Sequence, residues 1–348
     1  MSDVQSVVKY LLSYSGKPVK IMEVCGTHTS TAVKGGLRTL VSPSIRLVSG
    51  PGCPVCLAAS AYIDRLCVLA GKEDYIVASF GDLFKVKGSS SSLADAKAHG
   101  GNVVMVYSPL DALKLAEDDP TKTIVMAAVG FETTVPAYAL MLQTAIEQHI
   151  DNIRLLTALK VMPPALEQLC ADESIDAFIA PGHVAAIIGS KAFEPIASRF
   201  HRPFAVAGFT PESMLYAMAS LVNDIQNGDT GVKNLYGEVV RPEGNRKALS
   251  VIEDYFETDN ASWRGLSVIA GSGLYLKEEY ARFDAGSRGL DDVAAGKRGC
   301  RCADVLTGKL DPGGCSLFGS ACTPENAIGP CMVSAEGACG IWYREGMR

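Results

Sequence analysis

Short apolar runs alternate with helical stretches over the first two thirds of the chain. The runs are Val19–Val24, Ile45–Val48, Tyr75–Phe80, Val103–Tyr107, Ile124–Val129, Leu155–Leu159, Ala177–Ala180 and Phe204–Ala207. Most are β-branched and short, as buried strands are. Between them Ala58–Leu69, Pro136–Gln148 and Glu212–Gln226 carry apolar residues at helical spacing. The first 17 residues read as an amphipathic helix. The serine run Ser89–Ser92 reads as a loop and N-cap before a helix at Ala94–His99, with a phosphate nest as the other reading. Strands that alternate with helices imply right-handed βαβ units and parallel sheet. The expected fold is α/β, with two doubly wound (Rossmann-like) domains at 19–130 and 131–230. One large sheet fits eight strands less well, and the irregular spacing disfavours a barrel. Gly130-Phe131-Glu132-Thr133-Thr134 and Gly208-Phe209-Thr210-Pro211-Glu212 each follow a strand run and open a helix, a weak echo between the halves.

Past residue 230 the texture changes. Glycine, proline and cysteine rise and strand-like runs become rare. This tail, 231–348, is expected to pack on the α/β body with the N-terminal segment 1–18, as a third, metal-stapled part.

Composition narrows the function. The chain has 348 residues, with 48 % apolar and 20 % charged positions and a net charge of −6. That balance suits a soluble globular protein and argues against a nucleic-acid footprint. No apolar run reaches the ~18–20 residues of a membrane span. The N-terminus lacks the features of a secretory leader, so the cytoplasm is the expected compartment. There the eleven cysteines are expected to serve metal or thiol chemistry rather than structural disulfides. Four lie in residues 1–70 and six in 300–348, with Cys170 between, which suggests two cysteine sites.

In open α/β sheets ligands bind beyond the carboxyl ends of the strands. Four unusual turns sit at such ends: Cys25-Gly26-Thr27-His28, Gly52-Cys53-Pro54-Val55-Cys56, the turn carrying Glu132, and Pro181-Gly182-His183. They are expected to line one crevice. Cys25 opens a helix, whose N–H groups favour a thiolate; as a thiolate it is a nucleophile or a soft metal ligand. His28 either lowers that thiol's pKa or joins it as a ligand. Cys53 and Cys56 form a C-x-x-C that can close and open a disulfide, or bind metal. Glu132 and His183 are candidates for hydrogen bonding or proton transfer. Cys67 and Cys170 fall on apolar stretches and read as core. In the tail Cys300, Cys315, Cys322 and Cys339 give C-x14-C-x6-C-x16-C, with Cys302 and Cys331 spare. Four thiolates fit an iron–sulfur cluster or zinc. The spacing leaves open which metal and which four of the six cysteines.

Taken together, EVCGTHTS, SGPGCPVC, VYSPLDALKLA, AVGFETTVPAYA, IAPGHVAAIIG and the cysteine tail ending GPCMVSAEGAC resemble the HypD family of hydrogenase maturation factors. The resemblance runs in order over nearly the whole chain. It departs at Thr210, where the family often has Glu, and around Lys85–Gly88, where a proline is common. The resemblance implies two similar α/β domains and a third domain carrying a [4Fe-4S] cluster on Cys300, Cys315, Cys322 and Cys339. It implies a monomer that forms hetero-complexes with a HypC-type chaperone and with HypE, and no nucleic-acid or membrane partner. The implied task is assembly of the Fe(CN)2CO group of [NiFe]-hydrogenases. Cys25 would hold the iron, with His28 in the same motif. The Cys53/Cys56 dithiol and the cluster would supply electrons for cyanide transfer from HypE thiocyanate. Two alternatives stand beside it: a free-standing thiol–disulfide oxidoreductase with a structural zinc tail, and a nucleotide-binding module using the serine loop. No G-x-G-x-x-G or Walker motif supports the last.

Overall fold

The computed structural model describes residues 3–291 and 299–347; the ends of the expected third part at 1–2 and 348, and its stretch 292–298, lie outside the described residues. The strands in chain order are β1 Val19–Glu23, β2 Ile45–Ser49, β3 Tyr75–Ser79, β4 Val103–Met105, β5 Thr123–Gly130, β6 Ile153–Lys160, β7 Ala177–Pro181, β8 Pro203–Ala207, β9 Gly231–Asn234, β10 Phe256–Trp263 and β11 Ser267–Leu276. Every one of the eight apolar runs becomes a strand. The expected helices appear as Asp3–Ser13, Ser60–Ala70, Leu93–Ala98, Val135–Glu147 and Pro211–Asn227.

Contacts divide the chain into two compact units that interleave along it. The first is Met1–Cys53, Pro163–Arg246 and Lys297–Arg348; the second is Pro54–Met162 and Lys247–Gly296. The tail is divided: its cysteine-bearing end falls inside the first unit and its stretch Lys247–Gly296 in the second.

The first unit holds a five-stranded parallel sheet ordered β2-β1-β7-β8-β9. β7 and β8 are buried along their full length, which is why they read as continuous apolar runs rather than alternating ones. One face is covered by Asp3–Ser13 and Pro211–Asn227, whose Leu11, Met214, Met218 and Leu221 pack with Ile21, Ile179 and Ala205. The long helix starts on Thr210, whose side chain accepts the Ser213 N–H, and ends on Gly228 at φ 73°, so a left-handed stop and a hydroxyl cap set its length.

The second unit holds a six-stranded sheet ordered β10-β11-β6-β5-β3-β4. β3 to β6 pair in parallel, whereas β10 and β11 form an antiparallel hairpin that joins β6 through Gly273↔Lys160 and Leu274↔Leu159. This hairpin corrects the expectation that the tail is nearly strand-free. β10, Phe-Glu-Thr-Asp-Asn-Ala-Ser-Trp, exposes the four consecutive residues Glu257, Thr258, Asp259 and Asn260 and carries a register shift between Asp259 and Ala261. Its period-two signal is therefore broken in the sequence.

The serine loop also resolves. Ser89 gives both its N–H and its hydroxyl to Asp64, and Ser92 forms a reciprocal capping box with Asp95. A carboxylate thus takes the Ser89 donors that a phosphate nest would use.

Candidate functional site

In the first unit β1 ends at Glu23, and the chain turns through Val24 and Cys25 into the helix Gly26–Lys34. Cys25 is the N-cap, in extended conformation, and its own side chain caps nothing. The Thr27 and His28 N–H groups point at its sulfur and favour the thiolate, yet burial outweighs them and the thiol is pushed up to about 11. The expected thiolate at a helix entry is thus held as a thiol in this form, and a metal that binds it must displace the proton.

His28 is fully buried. Its Nε2 lies 3.0 Å from the Gly208 carbonyl oxygen. A carbonyl only accepts, so Nε2 carries the proton. Burial drives the ring's pKa down to about 4, so His28 is neutral and brings no positive charge to Cys25. Its Nδ1 is buried with no hydrogen-bond partner, which leaves a free lone pair. Phe209 stacks on His28 at 4.7 Å and on His183 at 3.9 Å between ring centroids. Two histidines 155 positions apart thus share one aromatic plate.

Two glycines bring the motifs to Cys25. A Cβ on Gly52 would lie 2.4 Å from the Cys25 Cα, and the Gly26 N–H donates to the Gly52 carbonyl at 3.3 Å. Only a residue without a side chain lets the loop leading to Cys53 approach so closely. On another side, a Cβ on Gly26 would lie 2.5 Å from the Glu336 carbonyl oxygen, three residues before Cys339. Gly26, next to Cys25, therefore touches both the C-x-x-C loop and the cysteine tail. Cys53 and Cys56 are joined as a disulfide.

The six tail cysteines line one cavity with about 360 Å³ of space free of protein, its mouth included. Cys300 and Cys339 both feel Cys302, Cys315 and Cys322, and each thiol is pushed up by burial first, Cys300 to about 11. Cys331 is buried against Cys302, with the sulfurs 2.6 Å apart, and also feels Cys339 and Cys300. A Cβ on Gly329 would lie 2.6 Å from the Cys300 sulfur, and the Ile328 N–H donates to the Cys322 sulfur at 3.4 Å. A thiolate donor set, a glycine wall and an N–H···S bond all fit a thiolate-ligated cluster or zinc. Among the described residues no three His, Cys, Asp or Glu side chains already stand as a ligand set: the sulfurs line the cavity without converging.

The tail is anchored beside this site. Arg38 lies 4.3 Å over the Trp342 ring and reaches Asp311 at 3.5 Å, which Arg46 also binds at 3.0 Å.

Glu132 belongs to the second unit. One carboxyl oxygen accepts the Met162 N–H at 2.7 Å, the other has no partner, and burial pushes the acid up to about 7. Cys170 is buried as expected, whereas Cys67 is half-buried.

The sequence reading missed Glu23, Phe209 and Arg38 as parts of the site. Glu23 had a signal: it is the charged residue at the end of an otherwise apolar strand, two before Cys25. Phe209 had only the weak echo of its turn with Gly130-Phe131, and Arg38 had none, because their partners lie far along the chain.

Comparison with known proteins agrees with the motifs. Residues 2–346 match the family described as HypD, hydrogenase formation hypA family. The chain belongs to the HypD family. It is 43 % identical over 339 residues to the hydrogenase maturation factor HypD of Escherichia coli (strain K12), covering 96 % of this chain and 91 % of that protein. The HypD of Rhodobacter capsulatus is 39 % identical (95 % and 90 % covered) and that of Azotobacter vinelandii 37 % (94 % and 89 %). The protein is thus a hydrogenase maturation factor of the HypD type. Among the described residues no helix is long and apolar enough to cross a membrane.

Proposed function

We propose that this protein assembles the Fe(CN)2CO group of [NiFe]-hydrogenases, with the iron handled as cargo on the Cys25 thiolate and shared with a HypC-type chaperone. The observation that carries the reading is Gly26. Its N–H binds Gly52, next to Cys53, and its Cα abuts Glu336, near Cys339. A metal-ligating thiol, a redox thiol motif and a cysteine-lined cavity therefore adjoin one helix entry.

Cyanide arrives as a thiocyanate on a HypE cysteine. The reduced Cys53/Cys56 pair gives up two electrons and two protons. The S–CN bond breaks, the HypE sulfur leaves as a thiol, hydrogen cyanide is released toward iron, and the Cys53–Cys56 bond forms. The disulfide seen here is the product state of that step, and it must be reduced before the next. A [4Fe-4S] cluster on Cys300, Cys315, Cys322 and Cys339 would supply single electrons when bound. The neutral His28, with its free Nδ1 lone pair, and the adjoining His183 would serve on the first unit as uncharged hydrogen-bonding groups. Glu132 holds a proton near neutrality on the second.

The test is anaerobic purification followed by metal and sulfide analysis. Equal iron and inorganic sulfide with a brown colour are expected; a colourless zinc protein would favour the oxidoreductase with a structural tail. Cys25→Ala should abolish iron-ligand assembly and leave the tail cluster intact. Cys56→Ala should fold and fail in maturation. Hydrogenase matured normally by either variant would defeat that residue's assignment.

A further inference from the structure

Glu23 is a carboxylic acid at the end of a buried strand, with 1 % of its surface exposed. An apolar residue would pack there at no desolvation cost. Three donors instead converge on the carboxyl. The Cys25 N–H reaches Oε2 at 3.2 Å, the Thr29 hydroxyl reaches Oε1 at 2.5 Å, and the Ser49 hydroxyl also binds the acid. These donors come from three segments: the Cys25 turn, the first turn of the helix behind it, and the end of β2. The backbone repeats the link. Glu23 is in register with Ser49, and its carbonyl accepts the Gly50 N–H at 2.7 Å. Gly50 opens Gly-Pro-Gly-Cys53.

Cys25 is the N-cap residue of its helix, and the Glu23 carboxyl holds that residue's own N–H together with the hydroxyl of Thr29 one turn on. We propose that Glu23 is the positioning residue of the Cys25 site: by tying Cys25, Thr29 and Ser49 into one buried knot, it fixes how the Cys25 thiol is presented beside the loop that carries Cys53. The inference rests on the reading of Cys25 as a metal ligand and adds the residue that aims it.

The acceptor requirement gives a discriminating pair of variants. Glutamine keeps the shape and one carbonyl oxygen for the Cys25 N–H, while hydroxyls can rotate to accept from its amide. Alanine removes every acceptor. The experiment uses the full chain with Co(II) as the probe, read by sulfur-to-cobalt absorption, together with amide hydrogen exchange at Cys25–Thr29. Glu23→Ala should speed exchange in that turn on the order of tenfold or more, the scale of a lost hydrogen bond to a charged group. It should also weaken the Cys25-dependent Co(II) band, while exchange at 299–347 stays unchanged. Glu23→Gln should restore both readouts to within about threefold, since one acceptor bond is worth about that much in a neutral pair. Thr29→Val, which removes one donor, should loosen the same turn by a smaller factor and carries the test if Glu23→Ala does not fold. Unchanged exchange in the turn, a glutamine variant as impaired as alanine, or loosening spread evenly over the sheet would each overturn the proposal. Cys25→Ala is the separate control: if the Co(II) band is undiminished in it relative to the parent, the reading of Cys25 as ligand fails whatever Glu23 does.

Discussion

Gly52 lies with its Cα against the backbone of Cys25, so close that a methyl group at Gly52 would sit 2.4 Å from the Cys25 Cα. Backbone faces backbone here, so no flexible side chain can yield. Gly52→Ala should push the two loops apart and cost about 1–3 kcal/mol, the scale of overpacking a tight site. Urea unfolding measures the cost, and iron uptake should fall with it. An alanine variant with wild-type midpoint and uptake would show that the contact is slack.

In the cavity Cys300 and Cys339 face Cys302 as well as Cys315 and Cys322, and Cys302 meets Cys331 sulfur to sulfur. The C-x14-C-x6-C-x16-C assignment predicts that Cys315→Ser loses tail iron and that Cys302→Ser retains most of it. Iron and sulfide content of the anaerobically purified variants decides this; the reverse order would exchange the ligand and spare assignments.

Arg38 stacks on Trp342 and binds Asp311 with most of its side chain covered. Cation–π contacts of this kind contribute about 0.5–2 kcal/mol. Arg38→Met should lower the local stability of the tail by that order, seen as faster proteolysis within 299–347. Lysine should rescue poorly, because its ammonium lacks the planar face that stacks. Wild-type proteolysis in the methionine variant would remove Arg38 as an anchor.

Glu132 gives stability a pH dependence of defined sign. Burial raises its folded pKa to about 7, from 4.5. Below pH 4.5 both states hold the proton and the group contributes nothing. Between 4.5 and 7 the unfolded state releases it first, so stability falls as pH rises. Above 7 the loss is complete, on the order of 3 kcal/mol at 1.36 kcal/mol per pKa unit. Glu132→Gln keeps an acceptor for the Met162 N–H and removes the charge. It should be more stable than the parent at pH 8 and nearly equal to it at pH 4.5, by denaturant unfolding at both. A glutamine variant less stable at pH 8 would mean that the ionised form is matched by a partner.

Much of this protein is legible one segment at a time. Strand runs such as Val19–Val24 and Ala177–Ala180 announce themselves because a strand buried on both faces must be apolar throughout. Helix Pro211–Asn227 carries its cap, its proline and its terminal glycine in its own sequence. The thiol motifs were visible for the same reason: C-x-x-C and the tail spacing are local patterns with few chemical uses. The β10–β11 hairpin was not visible, since its alternation is interrupted at Asp259–Ala261 and its pairing with β6 joins residues more than a hundred positions apart.

The sequence by itself determined the eight strands with continuous apolar runs, five of the helices, the family, and the cysteines available for chemistry, because each is set by short-range periodicity or spacing. Only the tertiary structure decided that β7 pairs with β1, that the chain's two units interleave, that Glu23 sits under Cys25, and that Phe209 lies between His28 and His183. Those outcomes depend on which distant surfaces bury one another, and no local pattern of residues encodes that choice.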